Sequence, residues 1–132
     1  MNQRVAIVTL ATLERGEAAN VAALLCGQVA RTDSRFFNED TVRSQDGLSH
    51  AAPNYSVVIL KAKNTSQLAK LASENVEAIC FSRMGQKLNN AFPEYKAAIS
   101  SSDAKDAEII GVVVYGEDAD VRDKTRKFSL MT

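Results

Sequence analysis

The residues able to do chemistry are few in this chain. One histidine, His50, and two cysteines, Cys26 and Cys80, are present. A lone histidine serves as a general base only when folding supplies a partner. The other reading is a half-exposed histidine on a hairpin. Cys26 falls within an apolar helical pattern, where a thiol stays protonated and inert, so a Cys26–His50 dyad is disfavoured. Neither cysteine has a CxxC or histidine spacing, and both are expected to be buried free thiols; no metal and no cofactor is implied. GxGxxG, GxxxxGK[ST] and GxSxG motifs are absent, which removes the usual nucleotide cradles and the serine-hydrolase elbow.

The polar residues with most promise stand where a strand turns into a helix. The stretch Leu13-Glu14-Arg15-Gly16-Glu17-Ala18-Ala19-Asn20 follows the apolar run Val5 to Leu10. In open α/β sheets ligands collect beyond the carboxyl ends of strands, where loops and helix N-termini converge. That rule selects three turns: Leu13 to Asn20, Ser82 to Gly85, and Tyr115 to Asp118. In the first, Arg15 offers charge, Gly16 and Glu17 the turn itself, and Asn20 a two-way hydrogen bond. The basic run Arg122, Lys124, Arg126 and Lys127 is tempered by Asp120 and Asp123, and is expected to be a solvated helix end.

These residues need a scaffold, and the hydrophobic pattern supplies one. Four apolar, β-branched segments read as strands covered on both faces: Val5 to Leu10, Tyr55 to Leu60, Val76 to Phe81 and Ile109 to Tyr115. Between them run helical patterns. The first, Gly16 to Arg31, buries Ala18, Val21, Ala22, Leu25, Cys26 and Val29 and turns Asn20 outward. The second starts at the Asn64-Thr65-Ser66 cap; the third, Met84 to Ser102, is interrupted by Pro93; the last is a short helix from Asp118 with acidic start and basic end. Asp46-Gly47 predicts a small edge hairpin flanked by residues 41–45 and 48–51, and Phe36-Phe37 a loop anchored to the core. The expected architecture is one α/β domain over residues 1–132: a three-layer α/β/α sandwich with a mixed, mainly parallel sheet of about four strands.

Composition narrows the partners. At 132 residues, 45% hydrophobic and 24% charged, the chain fits one ordinary globular domain. Its 16 basic and 16 acidic residues give no global field to draw nucleic acid or an anionic membrane. The start, Met1-Asn2-Gln3-Arg4, is a poor signal peptide, so a cytoplasmic location is expected. Ala19, Ala23 and Gly27 repeat every four positions opposite the core stripe; they predict either close packing against another helix or the seam of a homodimer.

Several ordered blocks carry a resemblance. These are Arg4-Val5-Ala6-Ile7-Val8, Arg15 to Ala23, the Asp46-Gly47 to His50 hairpin, Tyr55 to Lys61 leading to Leu68, Ile109 to Gly116, and Val121 with Lys124 to Leu130. Together they resemble an uncharacterised, mostly bacterial domain-of-unknown-function family whose fold is similar to that of type II peptidyl-tRNA hydrolases. Those hydrolases open their first helix with glycine-lysine, two alanines, glutamine and histidine, and carry a threonine in the last helix. Here Gly16, the alanine pair and Thr125 match, with the spacing to the alanines one residue shorter. Glu17 stands for the lysine, Asn20 for the glutamine, an alanine or leucine for the histidine, and the acidic glycine-rich segment is missing. A carboxylate where a cation would meet an RNA phosphate argues against a nucleic-acid partner. The resemblance implies the fold and leaves the activity open. Two functions follow as expectations: binding of a small polar ligand or peptide in a pocket beside Arg15, Asn20, His50 and Thr125, or hydrolysis of an ester or amide with His50 as base and Thr125 in the catalytic set.

Overall fold

A computed structural model describes residues 2–75, 77–88 and 90–131. Two runs rich in β-branched residues form the centre of a sheet: β1 (Gln3–Leu10) and β6 (Ile109–Glu117). Both are buried on both faces along most of their length, as their unbroken apolar sequence requires. β4 (Tyr55–Ala62) lies parallel to β1, while β5 (Ala78–Ser82) and β1 both run antiparallel to β6. A two-residue strand, β7 (Ser129–Leu130), closes part of the far edge against Leu60 and Lys61. The order is β5-β6-β1-β4-β7.

This corrects two expectations. Among the described residues the sheet has five strands, and one of its four pairings is parallel. Double burial marks a strand that helices cover on both faces, but β6 meets that condition while running antiparallel. The expected strand at Val76 to Phe81 begins at Ala78, and Val76 lies outside the described residues.

Helices complete the three layers. α1 (Arg15–Thr32) buries Ala18, Val21, Ala22, Leu25 and Val29, with Asn20 exposed on its outer side. A Cβ built on Gly111 would fall 2.5 Å from Val21 Cγ1, so α1 covers that face of β6. α2 (Thr65–Glu74) is capped by the Asn64 side chain, which accepts the Gln67 amide at 2.9 Å. The crossovers from β1 to β4 and from β4 to β5 travel in opposite directions along the sheet. Right-handed connections therefore put α1 and α2 on opposite faces. α6 (Asp118–Thr125) packs on β1 and β6, and its Asp118 meets Arg4 at 3.6 Å.

The region around Pro93 divides into α3 (Arg83–Lys87) and α4 (Phe92–Ser100), with the proline in the first turn of α4, where its missing N–H costs nothing. The Asp46-Gly47 hairpin forms, with β2 (Val42–Arg43) against β3 (Ser49–His50) and Gly47 at φ +90°. It is a separate two-stranded ribbon and does not extend the main sheet's edge.

A short helix, α5 (Ala104–Ala107), ends at Glu108, the one non-glycine at positive φ (62°) among the described residues. Left-handed backbone costs a residue with a Cβ about 1–2 kcal/mol, and glycine gives back about 0.5–1 kcal/mol of that in chain entropy. Glu108→Gly should therefore raise unfolding stability by about 0.5 kcal/mol. Urea denaturation checks this; a variant less stable than the parent would show that the glutamate side chain contributes more than its backbone strain.

Candidate functional site

β1 and β4 are adjacent and parallel, and their exits diverge. From Leu10 the chain turns through residues 11–14 into α1, with the Ala11 amide donating to Ala62 O at 2.8 Å. From Ala62 it turns through Lys63 and Asn64 into α2, which a right-handed crossover puts on the opposite face. Neighbouring parallel strands with diverging exits open a crevice at their carboxyl ends. Here the crevice has a volume of about 100 Å3, and Thr9, Ala11, Leu13, Arg15, Lys61 and Met131 are among its walls. The Thr9 hydroxyl, almost wholly buried, donates to Leu60 O at 3.4 Å and lies 3.8 Å from Met131 Sδ.

Of the residues singled out in sequence, Arg15 reaches this crevice; it is the exposed first residue of α1. Gly16 follows it on the exposed side, with open space where a Cβ would stand. Glu17 turns elsewhere. Its carboxylate accepts from Arg83 Nη1 and Gln86 Nε2, each at 3.2 Å, and its other oxygen accepts the Glu14 amide at 3.4 Å. It thus ties α1 to α3. Asn20 is exposed further along α1, outside the crevice.

The hydrogen bond from Gln86, then the Glu14 amide and the Arg83 charge, hold the Glu17 carboxyl below its usual 4.5. A depressed carboxylate stabilises the fold above its unfolded pKa, and the contribution is lost as pH falls through the lowered folded value. The pair is partly solvated, so the effect is small. The Tm difference between the parent and Glu17→Gln should shrink as pH is lowered from about 6 to about 3; a pH-independent difference would contradict this assignment.

His50 and Thr125 do not join the set. His50 is exposed in β3, paired with Val42, and its ribbon leads into the amino end of β4 at Tyr55. Arg15 stands beyond the carboxyl end of β1, and the eight residues of β1 and β4 separate the two ends by about 23 Å. Thr125 is buried, and its hydroxyl donates to Val121 O at 2.7 Å within α6. The expected pocket shared by Arg15, Asn20, His50 and Thr125 is therefore not assembled. The physical reason is direction: a hairpin that precedes a strand sits at that strand's amino end. The turn at Tyr115 to Asp118 fails the same way, because antiparallel β6 carries it to the opposite end, where the Asp118 amide donates to Asn2 O.

The crevice residues that sequence reading missed are Thr9, Lys61 and Met131. Thr9 and Lys61 are register partners across β1 and β4 and share a face. Local sequence carries no sign of that pairing. Among the described residues no three His, Cys, Asp or Glu side chains converge as a metal site.

The cysteines differ from each other. Cys26 is half-buried, with Sγ 3.1 Å from the Tyr55 hydroxyl, whose pKa is pushed up by burial and by this contact. Cys80 is exposed on edge strand β5, contrary to the expectation of two buried thiols, since the edge leaves one side of the strand uncovered. It lines a second, apolar cleft of about 300 Å3 with Leu24, Leu25, Phe81, Phe92 and Tyr95. The outer side of α1 at Ala19, Ala23 and Gly27 is exposed, and a Cβ on Gly27 would meet nothing within 4 Å, so no helix among the described residues packs there.

Among the described residues no helix is long and apolar enough to cross a membrane. No curated protein matches the chain. A solved structure of a protein of unknown function from Agrobacterium tumefaciens superposes with a TM-score of 0.79 at 14% identity, covering 100% of this chain and 99% of that one. At that identity the likeness shows a shared fold. The pattern of the family described as protein of unknown function, DUF2000, matches residues 3–132, nearly the full length, and the chain belongs to that family.

Proposed function

We propose that this protein binds a small polar ligand at the carboxyl ends of β1 and β4. The observation that carries this reading is the crevice itself, placed at the carboxyl ends of two adjacent parallel strands beside the start of α1. Arg15 and Lys61 give it polar walls, and Leu10, Leu13, Ala18 and Met131 give it an apolar lining. The blocks that resemble type II peptidyl-tRNA hydrolases are read as a likeness of fold. The alternative of ester or amide hydrolysis loses support from geometry, because His50 stands at the far end of the sheet and the Thr125 hydroxyl is committed to Val121 O.

A fragment screen followed by amide NMR shifts tests the reading. Hits should perturb Thr9, Lys61 and Met131, and should be lost in Ala11→Trp, where a bulky ring at an exposed wall position closes the mouth. Hits that map elsewhere, or that survive Ala11→Trp, would overturn it.

A further inference from the structure

We infer that the ligand of this crevice carries a terminal oxyanion, a carboxylate or a phosphate, clamped between Arg15 and Lys61. The inference rests on the ligand-binding role proposed above and adds the chemical class. Lys61 shares its face of the sheet with Thr9, and Arg15 begins the helix that starts on that face, so two cationic residues from separate elements line one small space. Among the described residues neither cation has a carboxylate within 4 Å. Among the described residues no acidic side chain lines the crevice.

Glu17 places an acid at the same turn. Folding removes it: the Glu17 carboxylate is engaged by Arg83 and Gln86 on the β5 side and does not line the space. The apolar lining shields the cations from water on one side, which strengthens a charge-assisted hydrogen bond there. A guanidinium also presents two parallel N–H groups to two oxygens of such an anion. At about 100 Å3 the space takes an anionic end group, and the rest of the ligand must extend past exposed Ala11.

The test is an NMR and calorimetric titration of the whole protein with acetate, inorganic phosphate and neutral acetamide. Acetate or phosphate should shift the Thr9 and Met131 amides while acetamide does not, and the better of the two anions identifies the end group. Arg15→Gln and Lys61→Gln should each weaken that anion about tenfold. Lys61→Arg should retain it, and Lys124→Gln, on α6, should leave it unchanged. Circular dichroism confirms that each variant is folded. Acetamide binding at Thr9 and Met131 as well as acetate does would overturn the oxyanion clamp and leave the proposed polar-ligand site standing. Anion affinity unchanged in both glutamine variants would also overturn the clamp. No shift at Thr9 or Met131 with any probe, together with a failed fragment screen, would remove both.

Discussion

Phe36→Ala should lower unfolding stability by about 3–5 kcal/mol, the cost of deleting a fully buried ring whose site cannot collapse. Phe36 is 0% exposed although it lies in the connection after α1, outside regular structure. Its ring meets Tyr55 and Tyr115 edge to face, each at 5.7 Å between centroids, and its carbonyl accepts the Asn54 amide at 2.9 Å. It therefore fastens the segment carrying the ribbon to both a central and an outer strand. Edge-to-face geometry adds about 0.5–1.5 kcal/mol per pair beyond area burial. The checks are a drop in Tm of more than about 10 °C and faster hydrogen exchange at the Asn38 and Asn54 amides. Phe37→Ala, at a half-buried ring, should cost less. A Phe36→Ala variant within about 2 °C of the parent would show that the connection contributes little to the core.

Gly111→Ala should cost about 1–3 kcal/mol by overpacking, an unusual penalty for one methyl group. The added Cβ would stand 2.5 Å from Val21 Cγ1, 3.2 Å from Leu25 Cδ1 and 3.7 Å from Val8 O. Leu25 has rotamers to spare, but a valine in a helix holds essentially one χ1 state, so Val21 cannot swing aside. Either α1 lifts off β6 or the strand bends, and both disturb the central layer. In the Val21→Ala background the clash is gone. There Gly111→Ala should cost at least about 1 kcal/mol less than in the parent, a coupling readable from a double-mutant cycle of urea unfolding. Additive effects would mean that the two residues do not compete for the same volume.

Both variants act at places of different legibility. Gly111 interrupts an otherwise β-branched run, and such a glycine signals a close approach without naming the neighbour. The identity of Val21 came from the fold. Phe36-Phe37 was legible as an anchored loop, since two adjacent aromatics are costly to leave in water, but the cage of Tyr55 and Tyr115 joins residues far apart in sequence. The site shows the same division. Arg15 stood out because a charge follows a strand and opens a helix. Lys61 and Thr9 did not, because parallel register is set by long-range pairing.

The elements are legible in local sequence: three long strands from their apolar β-branched runs, α1 and its buried stripe from helical periodicity, the break at Pro93 and the turn at Gly47. Each of these follows from local backbone and side-chain preferences, which act over a few residues. Which way β6 runs, that β7 adds a fifth strand, and which ends of the sheet the turns occupy emerge only from the assembled fold. It separated His50 from Arg15, turned Glu17 toward Arg83, and brought Lys61 beside Thr9. Direction and register depend on contacts between segments tens of residues apart, and no local preference encodes them.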